Sequence, residues 1–403
     1  MTLSFQLALS TVREKLSAAG AAAAVEVVSL DGVRGRVLAT DVVADRDYPP
    51  FHRSTRDGYA VRAADLAALP ATLECVGEVR AGEHFGDKVA PGQCVSIMTG
   101  APLPAGADAV LMLEHTGRDG NRVQASRSVE PFENVVRRAS EASAGDRVLP
   151  RGRRLGPSEM GLLATVGRAQ VEIFREPRVA IIPTGDEIVP LDLPPEWFQI
   201  RNSNAVTLCA QVAAAGGIPW RLGIAPDRAE PLRKLIEEGL SADLLLLSGG
   251  VSMGKYDLVE QVLADLGAEF FFRGVAIRPG KPLVFGRVRE RFIFGLPGNP
   301  VSTFVTFELF VRPAIALLGG AEFEPPVFLR ARLGKPFHQR LGLTAFMPAR
   351  VEVQNGEPQV NLVGYQGSGD LVGVVAANCF LVVHPEQTDF AAGDWVDVLP
   401  KPS

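Results

Sequence analysis

Cysteine is scarce in this sequence, with four residues of this type in a chain of 403. They stand at Cys75, Cys94, Cys209 and Cys379, without the spacing of a disulfide framework or of a metal site. This usage excludes a disulfide-stapled secreted scaffold. We therefore predict reduced, buried thiols in a cytoplasmic protein.

An excess of charge of one sign and long apolar runs are also lacking. The formal net charge is −5, so no basic surface for nucleic acid is expected. No stretch approaches the roughly 18 uninterrupted apolar residues that a membrane span requires. The N-terminal MTLSFQLALSTVREKL is amphipathic and charged, unlike an export signal. We predict neither a nucleic-acid nor a membrane partner.

The sequence does contain enough apolar residues for several cores. Hydrophobic residues make up 47% and charged residues 22% of the chain, which is typical of soluble globular proteins. Between residues 175 and 318, the apolar runs VAIIP, WRLGIA, DLLLLS and RFIFGL alternate with amphipathic helical patterns. Short apolar runs in such alternation are typical of parallel strands buried on both faces, so we predict a doubly wound α/β domain.

Outside residues 175–318, changes in the sequence pattern indicate further domains. The N-terminal segment is too small to bury a core alone, and the helical pattern GPSEMGLLATVG at 156–167 is expected to pack back against it. Short strands broken by glycine and proline fill the stretch between them, and strands return after Pro326. The predicted domains are a discontinuous N-terminal domain (1–48 and 141–174), an inserted β module (49–140), the α/β domain (175–320) and a small C-terminal β-barrel domain (325–403).

Three strands of the predicted α/β domain end in glycine loops with the sequences PTGDE, SGGVSMG and GLPGNPVS. In an open parallel sheet, ligands bind beyond the carboxyl ends of the strands, where glycine lets backbone N–H groups approach an anion. A single loop of this kind is more simply a tight turn, and none matches a Walker or Rossmann pattern. Three in one domain predict a phosphate or pterin pocket, with these candidates: Thr184, Gly185, Ser248, Gly249, Gly250, Ser252, Pro297, Gly298 and Asn299.

Carboxylates follow the same strands, at Asp186, Glu187, Asp227 and Asp257. Mg²⁺ takes one or two protein carboxylates and completes its octahedron with water and substrate phosphate, so such a cluster fits a pyrophosphate-cleaving reaction. Helix capping is the alternative, and it is strong for Asp227 and Asp257. Glu187 is the foremost functional candidate of this group.

Two cations, Arg278 and Lys281, flank a Pro-Gly turn in RGVAIRPGKPLVFG. On a rigid turn they could hold an oxyanion, although solvated surface charge is the usual alternative. In the inserted module, Ser54, Asp57 and Thr99 stand beside glycine turns that alone would indicate hairpins.

Seven blocks, taken in order, resemble the signature blocks of the molybdopterin molybdenumtransferase family, which includes the C-terminal part of gephyrin. The resemblance runs from about residue 5 to the end of the chain. The blocks are PPFHRSTRDGYAVRAAD, SIMTGAPLPAGADAV, PTGDEI, SGGVSMGKYD, RPGKPLVFG, GLPGNPVSTFVTFE and GYQGSGDLVGVVAANCF.

This resemblance implies an elongated homodimer with four domains per protomer. The α/β domain of one protomer and the inserted module of the other would form the active-site cleft. The implied reaction binds adenylylated molybdopterin, takes up molybdate and loses AMP with the help of Mg²⁺. The implied partners are the upstream molybdopterin adenylyltransferase and acceptor molybdoenzymes.

Residue roles follow from the same resemblance. Asp57 and Thr99 would belong to the cross-protomer wall, and the acidic groups of the pterin and metal site would be Glu187, Asp227 and Asp257. The resemblance assigns catalysis to Asp57, Glu187, Asp257 and Lys281, with Glu187 and Asp257 as the metal ligands. The pterin phosphate would be held by Ser248, Gly249, Gly250, Ser252, Pro297, Gly298 and Asn299, and molybdate or phosphates would face Arg278, Lys281 and Ser368.

The chain departs from the family pattern at three positions. Ala142 replaces a usual acidic residue, Gly274 replaces a usual lysine, and Arg56 adds a cation beside Asp57. The first two favour an alternative function, a paralogue that binds and delivers molybdopterin or its cofactor without catalysing insertion. A third hypothesis, the adenylylating enzyme of the preceding step, is disfavoured because that enzyme normally lacks the inserted and C-terminal β domains.

Overall fold

The protein was analysed as a computed structural model that describes residues 2–18, 24–250, 258–339 and 342–402. Within these ranges, three six-stranded sheets form the framework, one each in the inserted module, the α/β domain and the C-terminal region. The predicted fold class, a multidomain α/β plus β protein, is confirmed by this framework.

The N-terminal region is built from two separate parts of the sequence. Antiparallel pairs join strand Val25–Ser29 to Gln170–Phe174 and strand Val42–Val43 to Arg147–Leu149. Helix Pro157–Thr165 begins with proline in its first turn, where no backbone N–H is needed. The helix Phe5–Ala18 packs elsewhere, since its buried face, including Phe5, lies in the core of the α/β domain.

The inserted module is a mixed sheet with two small cores on its faces. A strand pair, Arg53–Ser54 with Val135–Val136, lies at the start and end of the module. Short 3₁₀ turns occur at Leu30–Gly32 before the module and at Ala63–Leu66 and Leu113–His115 within it. In sheet order the strands are Ala109–Met112, Gly58–Val61, Gln93–Ile97, Ala71–Val79, Arg122–Ala125 and Thr116–Asp119.

The α/β domain confirms the doubly wound prediction and adds an antiparallel edge. Side chains of strand Arg178–Pro183 enter two cores alternately, with Val179 in one and Ala180 in the other, so both faces are covered. The first four strands in sheet order are parallel and the last two antiparallel. In sheet order they are Ile218–Arg221, Arg178–Pro183, Leu244–Ser248, Arg291–Leu296, Val284–Val288 and Glu269–Phe272.

Helices cover both faces of this sheet. They are Ser203–Ala214, Ala229–Gly239, Leu258–Asp265 and a continuous run of Pro300–Thr306, a π-helical turn at Phe307–Val311 and Arg312–Leu318. The run Pro300–Leu318 is long and apolar enough to cross a membrane, but 78% of its apolar window is buried inside the protein, as in a core helix.

The C-terminal region contains a closed five-stranded barrel, as predicted. Strand Thr344–Gln354 pairs with both its neighbours and closes the ring. Strand Ile277–Arg278 of the α/β domain adds to this barrel in parallel, with Arg278 opposite Ala345. The other barrel strands, in order, are Glu357–Leu362, Leu329–Leu333, Trp395–Pro400 and Cys379–Val383, accompanied by the pair Phe337–His338 and Asp389–Phe390 and by helix Leu371–Ala376.

Candidate active-site cleft

A cleft of about 1110 Å³ lies where the α/β domain meets the barrel. It opens at the carboxyl ends of the parallel strands, the position at which open α/β sheets bind ligands. Its size is that of a site for a large organic ligand. The predicted residues that line it are Thr184, Gly185, Glu187, Asp227, Gly249, Gly250, Arg278, Lys281, Pro297, Gly298, Asn299 and Ser368.

Backbone hydrogen bonds hold the three glycine loops side by side, with the SGG loop in the middle. The Thr184 N–H donates to the Ser248 carbonyl at 2.9 Å, and the Gly249 N–H donates to the Leu296 carbonyl at 3.1 Å. Gly249 has a φ of 98°, and a Cβ there would lie 2.5 Å from the Thr184 carbonyl oxygen. The close approach of the strands therefore requires glycine at this position.

Backbone donors remain available at the cleft. Among the described residues, the N–H groups of Gly250, Gly298 and Asn299 have no hydrogen-bond acceptor. Gly298 and Asn299 immediately precede the helical run that starts at Pro300, whose N-terminal end carries positive partial charge. The hydroxyl of Thr184 is buried and also has no partner in the described part of the chain. Together these groups can receive an oxyanion.

Asn204, which the sequence analysis did not single out, connects the loops. Its side-chain amide donates to Ser248 Oγ at 2.9 Å and to the Gly298 carbonyl at 2.7 Å, with a longer contact of 3.4 Å to Thr303 Oγ1. The only sequence signal was the polar run RNSN before an apolar helix. That run reads as a helix start, and Asn202 does cap helix 203–214.

The barrel contributes the opposite wall. Ser368 accepts a hydrogen bond from Asn299 Nδ2 at 2.7 Å, and its carbonyl accepts one from the Val301 N–H at 2.9 Å. Asn299 stands at the N-cap position of the next helix, which has no side-chain cap, and its amide is directed to Ser368 instead. Phe346 and Tyr365 add aromatic surface to this wall. Burial raises the pKa of Tyr365, while the nearby Arg278 guanidinium opposes that shift.

The predicted cations reach the cleft on a fixed turn. Arg278 and Lys281 both line it and are exposed, and the intervening Gly280 has a φ of 113°. A Cβ on Gly280 would lie 2.5 Å from Thr306 Cγ2. Packing of this turn against the helix fixes the path of the backbone between the two cations. Arg201, absent from the predicted set, is a third cation in the lining.

Two of the predicted carboxylates, Glu187 and Asp227, lie exposed in the cleft lining. Asp227 does not cap helix 229–239, which has no side-chain cap. Its backbone N–H instead donates to Asp186 Oδ1 at 3.1 Å. Asp257 and Ser252 lie outside the described residues. Within the described ranges no cluster of three or more metal-ligating side chains occurs, so the cleft offers two carboxylates.

Such a pair fits Mg²⁺ and does not fit a metal that needs a full protein cage. Mg²⁺ is bound through one or two carboxylates together with substrate phosphates. Glu187 and Asp227 supply hard oxygen ligands beside the anion-receiving loops, and neither forms a salt bridge within the described chain.

Asp57 and Thr99 meet each other outside this cleft, in the inserted module. Asp57 Oδ1 accepts hydrogen bonds from the Thr99 N–H at 2.7 Å and from its hydroxyl at 2.9 Å. These two bonds, led by the backbone donor, lower the pKa of Asp57. The result is an exposed, negatively charged carboxylate held in a fixed direction.

The departures at Ala142 and Gly274 also lie outside the cleft lining of this protomer. Ala142 forms a β-bridge with Tyr48. Gly274 is buried, its carbonyl accepts from the Leu3 N–H at 2.9 Å, and a Cβ there would lie 3.1 Å from Thr2 Oγ1. Neither change removes a group from the cleft described above.

Comparison of the central domain with known families identifies the class of protein. Residues 180–317 match the family model described as a probable molybdopterin binding domain, which is the α/β domain that carries the glycine loops. The flanking regions then define the family. Residues 3–167 match the MoeA N-terminal region (domain I and II), and residues 330–401 match the MoeA C-terminal region (domain IV).

The chain belongs to the MoeA family of molybdopterin molybdenumtransferases, as the seven sequence blocks had predicted. It is 38% identical to the molybdopterin molybdenumtransferase of Nostoc sp., over 94% of this chain and 89% of the relative. It is 35% identical to that of Bacillus subtilis, over 93% and 89%. A MoeA structure from Pyrococcus horikoshii superposes with a TM-score of 0.77 at 32% identity, covering 99% of each chain.

Proposed function

We propose that this chain transfers molybdenum from molybdate to adenylylated molybdopterin and releases AMP, forming the molybdenum cofactor. The observation that carries the proposal is one cleft in which anion-receiving loops, three cations and two carboxylates converge. The names of the relatives at 35–38% identity over nearly the whole chain support it. The proposed substrates are therefore molybdate and adenylylated molybdopterin.

The glycine loops are the proposed site for the pterin phosphate. An oxyanion there would accept hydrogen bonds from the N–H groups of Gly250, Gly298 and Asn299 and from the Thr184 hydroxyl, which have no partner within the described part of the chain. Backbone donors fixed by strand ends need no reorganisation when charge develops on the bound group. Ser248, which is buried behind the cleft lining, and Pro297, which lines the cleft, support these loops through bonds to Asn204 and Thr303.

The charged side chains of the cleft have two proposed roles, in which the cations bind anions and the carboxylates bind Mg²⁺. Arg278 and Lys281 would hold molybdate or neutralise phosphate charge, together with Ser368, which Asn299 holds in the same cleft. The acidic residues Glu187 and Asp227 would hold Mg²⁺, together with Asp257 as predicted from sequence. When bound, Mg²⁺ neutralises charge on the phosphate oxygens of the pyrophosphate linkage. Glu187 is the proposed catalytic carboxylate of this group.

We also propose a homodimer, protein partners and a location for this chain. Asp57 and Thr99 lie outside this protomer's cleft, so their proposed catalytic role requires a homodimer in which they complete the partner's cleft. The proposed partners are the upstream adenylyltransferase and acceptor molybdoenzymes, and the proposed location is the cytoplasm. Ala142 and Gly274 do not line the cleft of their own protomer, but neither do Asp57 and Thr99, so the carrier stays the second candidate function and the assay below separates it from the transferase.

The test is an assay with purified protein, adenylylated molybdopterin, Mg²⁺ and molybdate. AMP release and reconstitution of an apo-molybdoenzyme are measured for the wild type and for Glu187→Ala, with Glu172→Ala as an exposed surface control. We expect both signals in the wild type and the control, and loss of at least about 100-fold in Glu187→Ala. Tight pterin binding without AMP release in the wild type would support the carrier instead.

A further inference from the structure

We propose that Asn204 is a positioning residue that sets the distance between the two loops receiving the phosphate, an inference that rests on the function proposed above. The loops follow different strands, Leu244–Ser248 and Arg291–Leu296. They carry the N–H groups of Gly250 on one side and Gly298 on the other, for which the described residues provide no acceptor. Asn204 comes from a third element, helix 203–214.

The orientation of the Asn204 amide is determined by its partners. The Gly298 carbonyl can only accept a hydrogen bond, so the atom 2.7 Å from it must be the Nδ2 donor. The same nitrogen donates to Ser248 Oγ at 2.9 Å. Both Nδ2 hydrogens are therefore used on the protein, and Asn204 acts on an anion through the loops.

A backbone hydrogen bond joins the two loops at the strand ends, where the Gly249 N–H donates to the Leu296 carbonyl at 3.1 Å, and the Asn204 amide adds a side-chain link beyond that point. Ser248 is 1% exposed, so water cannot readily replace the Asn204 donor at its hydroxyl. The Thr303 hydroxyl binds the Pro297 carbonyl at 2.5 Å, which fixes the start of the second loop to its helix. Asn204 adds the cross-link between that loop and the SGG loop. Its loss would let the donors of Gly250 and Gly298 separate.

Two substitutions test this role. Asn204→Ala removes the cross-link, whereas Asn204→Asp keeps the shape but places a carboxylate against the Gly298 carbonyl. Adenylylated molybdopterin binding is measured by titration, and AMP release gives kcat and KM. We expect the Kd to rise about tenfold in Asn204→Ala, equivalent to about 1.4 kcal/mol, and further in Asn204→Asp at pH 7.5.

A pH series separates positioning from simple loss of stability. As pH falls from 7.5 to 5, the introduced carboxyl gains protons and regains one donor, so binding by Asn204→Asp should recover toward that of Asn204→Ala. Asn204→Ala is measured at each pH as the reference, because the other charged groups of the cleft, Glu187, Asp227, Arg201, Arg278 and Lys281, and the ligand phosphate are the same in both variants.

Gln211→Ala is the matched control. Gln211 lies on the same helix and donates from its amide to the Phe304 carbonyl at 3.2 Å and to Glu308 at 2.6 Å, away from the loops. We expect it to lower the melting temperature without changing the Kd. Wild-type Kd in Asn204→Ala, or an equal loss in Gln211→Ala, would overturn the proposal.

Failure of the proposed transferase function gives a different result from failure of the positioning role of Asn204. A wild-type chain that neither binds nor converts adenylylated molybdopterin would contradict the transferase. The same variants are then titrated with inorganic pyrophosphate, a ring-free probe of the loops. An Asn204-dependent pyrophosphate affinity keeps the positioning role, and an affinity equal in all variants rejects it.

Discussion

At the scale of single residues, the two facing glycines of the cleft differ in whether another residue can replace them. Gly249 combines a left-handed backbone with contact to the Thr184 carbonyl. Gly298, on the facing loop, has neither constraint, since its Cβ would meet the nearest atom, Gly249 Cα, at an ordinary 3.5 Å. Gly249 therefore has a backbone conformation and a close contact that exclude a side chain, whereas Gly298, in the same cleft, has neither.

This difference predicts unequal effects of alanine. Gly249→Ala should reduce the free energy of unfolding by about 2 kcal/mol or more, because left-handed strain and a 2.5 Å contact add. Gly298→Ala should change it by less than about 0.5 kcal/mol. Urea unfolding followed by circular dichroism measures both. Equal destabilisation of the two variants would contradict the geometry described for these loops.

At the scale of elements, the Glu159 side chain binds the start of helix Pro157–Thr165 to the turn that precedes it. Glu159 accepts from the Gly156 N–H at 3.0 Å and from Arg153 Nη2 at 2.6 Å. The Arg153 hydrogen bond, followed by backbone donors, lowers the pKa of Glu159 to about 2. A depressed folded-state pKa stabilises the protein above the unfolded value near 4.3 and ceases to do so as pH falls toward 2.

We therefore predict a pH-dependent effect of Glu159→Gln. The variant should be less stable than the wild type at pH 6, and the difference in free energy of unfolding should shrink between pH 4.5 and pH 3. Glu172→Gln, an exposed change on strand 170–174, serves as control. A stability difference that stays constant down to pH 3 would show that the Glu159 charge is not its source.

Sequence patterns predicted those strands and helices that are marked by residues adjacent in the chain. The run RFIFGL became strand Arg291–Leu296 because a continuous apolar run is needed wherever both faces of a strand are buried. WRLGIA was placed too far along the chain, since the edge strand is Ile218–Arg221 and pairs on one side only. Strand Val284–Val288 was missed because the Pro-Gly turn before it favoured a loop.

Site prediction was limited by contacts between distant segments. Glu187 and Gly249 were found because strand ends share one edge of a parallel sheet. Asn204 was not found, because its role depends on two carbonyl and hydroxyl partners that are 44 and 94 residues away in sequence. The Asn299–Ser368 bond likewise joins two domains and has no local signature.

At the scale of the whole molecule, the Asp57–Thr99 pair makes a prediction about assembly. If the partner's inserted module completes each cleft, Asp57→Ala and Glu187→Ala variants should complement each other. Random mixing gives half mixed dimers, each with one intact cleft of two, so roughly a quarter of wild-type activity should return. Co-expression with two affinity tags and an AMP-release assay measure this. Activity no higher than the sum of the separate variants would contradict the shared cleft.

The measurement that tests the transferase most directly is the molybdate dependence of AMP release. Purified wild-type protein is mixed with adenylylated molybdopterin and Mg²⁺, and AMP is quantified with and without molybdate. We predict AMP release that rises with molybdate and saturates, accompanied by molybdenum bound to the pterin. AMP release at the same rate without molybdate, and a pterin free of molybdenum, would mean that the cleft hydrolyses the adenylylated substrate and that the protein is not a molybdenum transferase.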